Sequence, residues 1–172
     1  MRIPTAFHRA RRLLAPLLAT SALMLSSACA TSPAAPSSGG TTDSTFSANL
    51  SASLSYCADQ VNKYRATVNL PPLGRAPDLE AFAATAAEYD GKAGVPHGYF
   101  VMTNGAGVSM AENQLLLWKG YAVNDVIHQG MELMWAEGPS GSHYQVLTGK
   151  YTQVGCGIYL NGNEVNVSQD FR

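Results

Sequence analysis

The stretch that decides the fold reads Met134-Trp-Ala-Glu-Gly-Pro-Ser-Gly-Ser-His143-Tyr144, and Tyr151-Thr-Gln-Val-Gly-Cys-Gly-Ile-Tyr159 follows it. Upstream, Pro96-His97-Gly98 places another histidine in a turn, and Ala111-Glu112-Asn113 comes after it. The chain has only 4 histidines, and these two each have a glutamate nearby in sequence, Glu112 or Glu137. Two imidazoles and two carboxylates can form a polar cleft that binds a divalent metal or moves a proton.

Three segments carry apolar residues at helical spacing and are predicted to be helices: residues 54–68, residues 79–90, and a segment from 124 or 125 to about 135. A Pro-Pro pair at 71–72 breaks the chain after the first segment, because proline cannot continue the hydrogen-bond ladder. Asp78 is the expected N-cap of the second helix, and Asn124 or Asp125 that of the third. Residues 91–107, which include His97, are predicted to be mainly loop.

The last part of the chain has the pattern of β-strands. Residues 151–160 and 164–171 are rich in β-formers, and Asn161-Gly162-Asn163 between them predicts a hairpin. A third strand is predicted over 112–118, with Leu115-Leu116-Leu117 suited to a buried position. Helices first and a strand hairpin last indicate an α+β layered domain.

Seven motifs in this order resemble the CAP superfamily, which includes cysteine-rich secretory proteins, venom antigens and plant pathogenesis-related proteins, and whose domain is also called sperm-coating-protein-like. They are Asn62-x-x-Arg65 before Leu70-Pro-Pro-Leu73, the alanine-rich segment 79–89, Pro96-His97-Gly98, Ala111-Glu112-Asn113, Trp135-Ala-Glu137, Ser142-His143-Tyr144 and Val154-Gly-Cys-Gly157. The resemblance covers about residues 54–171. It implies a three-layer α-β-α sandwich with a central, mainly antiparallel sheet, and a cleft that holds the tetrad His97, Glu112, Glu137 and His143.

The chain departs from the family pattern at three points. Ala111 before Glu112 and Ser142 before His143 each replace a glycine that is usual in the family. The fourteen residues between His97 and Glu112 are also more than in many relatives. Gly105-Ala-Gly107 makes this longer segment flexible, so we expect a remodelled cleft mouth around intact tetrad side chains.

Three functions are compatible with the resemblance. The first is a non-catalytic exported domain that binds a small apolar ligand, such as a lipid, or a protein partner, with a divalent metal such as zinc on His97 and His143. The second is a metal-dependent hydrolase or protease with Glu112 or Glu137 as the base. The third is a structural domain without a ligand. The family implies the first more often than the second, and His128 reads as an ordinary helix-surface histidine.

The N-terminal residues have the pattern of an export signal. Four arginines precede a short apolar run over 13–25, which predicts a signal peptide over 1–28. Cys29 at the end of this run is the expected lipidation site, and ordinary cleavage around Ala28-Cys29-Ala30 is the alternative. The Ser/Thr/Pro/Gly-rich residues 29–51 are predicted to be a disordered tether, followed by the domain over 52–172. The expected location is the bacterial cell envelope, with a lipid anchor in the outer membrane, or outside the cell.

Charge and cysteine usage fit an exported protein. Four of the 11 Lys+Arg and none of the 12 Asp+Glu lie in the signal, so the rest of the chain has a formal net charge of −5, which argues against a nucleic-acid partner. If Cys29 carries lipid, Cys57 and Cys156 remain as a possible disulfide in an oxidising compartment. Such a bridge would close a loop of about 100 residues and stabilise the fold by roughly 4–5 kcal/mol. Two buried free thiols are the alternative.

Overall fold

The structure is a computed structural model that describes residues 41–172, with side-chain surroundings from Asn49 onward. The predicted signal peptide, the lipidation site Cys29 and the tether up to residue 40 lie outside the described residues. Within residues 41–172, no helix is both long and apolar enough to cross a membrane.

Five helices and four strands make up this part of the chain. The helices are α1 (Thr41–Thr67), α2 (Pro77–Ala93), α3 (Gly98–Thr103), α4 (Val123–Ala136) and α5 (Ser142–Leu147), and a short 3-10 turn spans Asn104–Gly107. The strands are β1 (Gly74–Arg75), β2 (Ala111–Lys119), β3 (Gln153–Asn161) and β4 (Glu164–Phe171). The three predicted helices, the predicted hairpin and the third strand are all present.

The strands form one sheet in the order β1-β3-β4-β2. The two-residue β1 pairs parallel to β3, whereas β3–β4 and β4–β2 are antiparallel. Helix α2 packs on one face of the sheet, and α1, α4 and α5 pack on the other side. The predicted α+β architecture with a central, mainly antiparallel sheet is therefore confirmed, and β2 is an edge strand.

Two glycines let α2 approach the sheet closely. A Cβ on Gly157 would lie 2.0 Å from the carbonyl carbon of Ala83, and one on Gly155 would lie 2.3 Å from that of Leu79. Side chains of a strand alternate between faces, so Cys156 points to the opposite layer. The absence of side chains at positions 155 and 157 therefore lets α2 lie directly against this face of the sheet.

The opposite face of the sheet carries the main hydrophobic core. Val154, Val167 and Phe171 are fully buried there against Ile127 and Met131 of α4. The predicted disulfide between Cys57 of α1 and Cys156 of β3 is present, with a Cα–Cα distance of 6.3 Å.

Some sequence predictions about element ends were wrong. Helix α1 begins at Thr41, so residues 41–51 are helical where we expected disordered tether; once a packed segment nucleates a helix, each added residue costs little. Ala76 and Ala122, not Asp78 or Asn124/Asp125, are the N-cap residues, and Pro77 opens α2. Asp78 lies in the first turn of α2 and binds Arg172 instead.

The predicted burial of the Leu115-Leu116-Leu117 run holds only in part. Leu115 is buried, but Leu117 is 42% exposed and has a positive φ of 62°. The pairing of β2 with β4 shifts between Leu115 and Trp118, which is the mark of a β-bulge that turns side chains away from the core.

Candidate functional site

The first His–Glu pair lies on the α2 side of the sheet. His97 immediately precedes α3 and has a left-handed backbone with φ 59°, a strained conformation for a non-glycine residue. Its backbone N–H donates to Gln114 Oε1 at 2.7 Å, and Gln114 in turn donates to Asp90 of α2 at 2.7 Å. These bonds fix the backbone from which the imidazole projects.

The imidazole of His97 is held by a buried carboxylate. His97 Nδ1 lies 2.9 Å from Glu112 Oε1, and the other oxygen, Oε2, accepts a hydrogen bond from Ser168 at 2.8 Å. The Glu112 side chain is 1% exposed, whereas that of His97 is 37% exposed. The hydrogen bond to Glu112 raises the pKa of His97, although partial burial opposes it.

The second pair lies at the junction of α4 and α5. Glu137 caps the end of α4, and its Oε1 is 2.5 Å from Nδ1 of His143 in the first turn of α5. Its Oε2 accepts the backbone N–H of His143 at 3.1 Å. The hydrogen bond from His143 lowers the pKa of Glu137. A Cβ on Gly141 would lie 2.2 Å from Cβ of Glu137, so only glycine there lets the chain fold over this carboxylate.

Edge strand β2 contacts both pairs. Glu112 holds His97 on one face, and the adjacent Asn113 donates from Nδ2 to the backbone carbonyl of His143 at 3.2 Å on the other. Each of the two histidines is therefore bonded to one glutamate, and both pairs are attached to one dipeptide. The meeting of all four side chains in a single cleft stays a prediction.

The comparisons with known proteins identify the family. The model of the cysteine-rich secretory protein family, CAP, matches residues 58–171. The chain belongs to the CAP family. Among curated proteins, no sequence matches this chain.

Two solved structures are similar to this CAP domain. An outer surface protein of Borrelia burgdorferi is 20% identical, with a TM-score of 0.49; the match covers 66% of this chain and 86% of that chain. A cysteine-rich secretory protein of Staphylococcus aureus is 18% identical, with a TM-score of 0.47; the match covers 72% of this chain and 39% of that chain. The family match makes this a CAP-domain protein of the extracellular type.

The donor chemistry of the CAP site fits two imidazole ligands. Both histidines bond to a glutamate through Nδ1, and a metal-binding histidine usually bonds its second ring nitrogen to a carboxylate in this way. The Nε2 atoms of His97 and His143 would hold the metal, and a bound zinc ion would supply a Lewis acid. In the part of the chain that the structure describes, no three His, Cys, Asp or Glu side chains are grouped to hold a metal ion.

Sequence reasoning missed the buried polar residues that support His97 in this CAP domain. They are Asp90, Gln114, Ser168 and Asp170, each less than 9% exposed. Ser168 and Asp170 lie at alternate positions of a β-rich segment, and this pattern was a usable signal. A strand with both faces covered rarely carries inward-facing polar side chains without hydrogen-bond partners.

The remaining histidine of the domain is separate from the pairs, as predicted. His128 lies on α4 with a 45% exposed side chain, and its Nε2 is 3.4 Å from Glu132 one turn later. It forms an ordinary surface pair between residues four apart on a helix.

Proposed function

We propose that the chain is an exported, lipid-anchored binding protein whose two His–Glu pairs form one cleft for a small apolar ligand or a protein partner. A divalent cation such as zinc is held there by Nε2 of His97 and of His143. The observation that carries this proposal is the fixed orientation of both imidazoles, each held by a glutamate through Nδ1. Such preorganisation lowers the entropic cost of binding.

The engagement of both carboxylates favours binding over hydrolysis. Glu112 accepts hydrogen bonds at both oxygens, from His97 and Ser168, and Glu137 does so at both oxygens from His143. A general base needs an oxygen within hydrogen-bonding reach of the attacking water. Because both glutamates orient histidines, their role resembles that of residues that hold the two imidazoles in place more than that of general bases.

Exposed apolar side chains in the chain segment that contains His97 support an apolar ligand or partner. Residues 93–111 contain no Asp, Glu, Lys or Arg. Within them Val101, Met102 and Met110 are 60–73% exposed. Exposed large apolar side chains on an uncharged segment are suited to contact an apolar ligand or partner.

Zinc titration by calorimetry on the metal-free protein tests the cation part of the proposal. We expect one saturable site in the wild type, at least a tenfold loss of affinity in His143→Ala, and no loss in the matched control His128→Ala, since one ligand typically contributes more than 1.4 kcal/mol. Equal zinc affinity of His143→Ala and wild type would refute the proposed cation site.

Lipid extraction and mass spectrometry on protein purified from its envelope test the apolar-ligand part. We expect a bound lipid in the wild type and less in Val101→Asp, whereas Leu133→Asp, at a 61% exposed position on α4, retains it. Absence of lipid and of zinc binding together would favour the structural alternative. Release of peptide or ester products by the zinc-loaded protein would favour the hydrolase.

The location is tested by fractionation. We expect Cys29→Ser to move the protein from the membrane fraction to the soluble one, because a single thiol carries the anchor, and Ser32→Ala to leave it in place. A serine variant that stays in the membrane fraction would point to another attachment.

A further inference from the structure

One hydroxyl group lies between two carboxyl groups beneath His97. Ser168 Oγ is 2.8 Å from Glu112 Oε2 and 3.0 Å from Asp170 Oδ2. A hydroxyl carries a single hydrogen but two acceptor lone pairs. It can therefore donate fully to one carboxylate, and its second short contact is favourable when the other carboxyl group brings a hydrogen of its own.

Asp170 is the carboxyl group that has an oxygen without a donor. It is completely buried, and among residues 41–172 its Oδ1 has no hydrogen-bond partner. Ser109 gives its hydrogen to the carbonyl of Ala111 at 3.0 Å. Glu112, in contrast, has His97 at one oxygen and Ser168 at the other. A buried anion without donors is costly, so Asp170 is the group that retains the hydrogen.

We propose that Asp170 is a positioning residue of the His97 site: a protonated carboxylic acid that donates to Ser168 and thereby directs the Ser168 hydrogen to Glu112. The chain of donation then runs from Asp170 to Ser168 to Glu112 Oε2, while Glu112 Oε1 accepts from His97 Nδ1. Glu112 then accepts one hydrogen bond at each oxygen, and the imidazole keeps one tautomer, with its lone pair on Nε2. The proposal deepens the proposed role of His97 but requires no bound cation.

The electrostatic surroundings agree with this assignment. Burial and, after it, the neighbouring Glu112 together raise the pKa of Asp170 to about 7, against the opposing effects of Ser109, Ser168 and His97. The groups that face this region are Glu112 from β2, His97 from the segment before α3, and Asp90 from α2, so carboxyl groups outnumber the one histidine.

The pH dependence follows from the direction of the shift. The folded-state pKa lies above the ordinary value of 3.8, so the folded state binds the proton more tightly. The resulting stability is complete below pH 3.8 and is lost as pH rises through about 7. Between pH 5 and 8.5 the folding equilibrium constant should fall roughly 100-fold through this group alone.

Unfolding of the full chain by urea at both pH values tests the proposal. We expect the 100-fold fall in wild type and in the control Asp125→Asn, which changes an exposed carboxyl of α4. In Asp170→Asn the neutral amide keeps a donor toward Ser168, and we expect the fall between the two pH values to be roughly 100-fold smaller than in wild type. The same fall in Asp170→Asn would overturn the proposal.

A direct titration keeps the test decisive if a variant does not fold. In wild-type protein free of metal, the ¹³C signal of the Asp170 carboxyl should titrate near pH 7; a midpoint below pH 5 would refute the protonated acid. Ser168→Ala should mix the two tautomers of the His97 imidazole in ¹⁵N spectra, while the ¹⁵N spectrum of the His143 ring is unchanged. Unaltered His97 spectra would overturn the positioning role. Zinc affinity enters none of these readouts, so failure of the cation proposal is seen separately.

Discussion

Gly157→Ala probes the contact that sets the distance between α2 and the sheet. The added Cβ would lie 2.0 Å from the carbonyl carbon of Ala83 and 2.1 Å from the backbone nitrogen of Ala84. To reach a tolerable 3.0 Å, helix and strand must separate by about 1 Å, and neither neighbour is a side chain that can rotate away. Overpacking costs typically 1–3 kcal/mol, so we expect a loss of about 3 kcal/mol and a fall in Tm of roughly 10 °C.

The displacement of α2 should also reach His97. Asp90 near the end of α2 accepts the backbone N–H of Tyr99 at 2.8 Å and the amide of Gln114 at 2.7 Å, and Gln114 holds the backbone of His97. A shift of about 1 Å would stretch these bonds beyond good geometry. We expect the ¹⁵N spectrum of the His97 ring to change in Gly157→Ala even where the protein remains folded.

The assay is urea denaturation and calorimetry with Gly74→Ala as the matched control. A Cβ on Gly74 would have its nearest neighbour at 3.9 Å, and this glycine has no positive φ. The control should therefore change stability by less than about 0.5 kcal/mol, as other exposed substitutions do. A Gly157→Ala variant as stable as the control would refute the reasoning about close packing.

Three further predictions concern contacts on the other side of the sheet and at the site. Replacing Cys57 and Cys156 together by alanine should lower stability by about 4–5 kcal/mol, measured by urea denaturation, because their separation of 99 residues makes a large loop. Arg65→Met should cost about 3 kcal/mol in the same assay, since the buried guanidinium donates to the carbonyls of Pro71, Leu147 and Gly149. Glu112→Gln should lower the pKa of His97 in an NMR titration, because the hydrogen bond to the carboxylate raises it; an unchanged midpoint would contradict that assignment.

Much of the fold could be predicted because its long elements repeat a pattern many times. Helices α2 and α4 repeat apolar residues at helical spacing over several turns, and the β3–β4 hairpin contains an Asn-Gly turn. The six-residue helices α3 and α5 are too short for such a period and lie in segments rich in glycine. Their formation depends on tertiary contacts that the local sequence does not contain, such as the hydrogen bond that the backbone N–H of Tyr99 donates to Asp90.

The histidines and glutamates of the site could be predicted from the sequence, but the buried polar residues behind them could not. The order of motifs singled out His97, Glu112, Glu137 and His143, and the structure pairs them as two His–Glu couples. The network behind the first couple depends on strand register, which brings Asp170 opposite Glu112. Register cannot be read from either strand alone, because it is set by the pairing of both.

That register explains why one dipeptide serves both halves of the site. Alternation sends Glu112 toward α2, where it meets His97 and Ser168, and sends Asn113 to the opposite layer, where it meets the backbone of His143. The paired Gln169 on β4 points into that same layer and contacts the sulfur of Met131. A slip of one residue would turn Glu112 into this apolar region and Asn113 toward His97. The cost of burying an unpaired carboxylate there disfavours the slipped state, so Glu112 and Asn113 favour both the observed register and the geometry of the site.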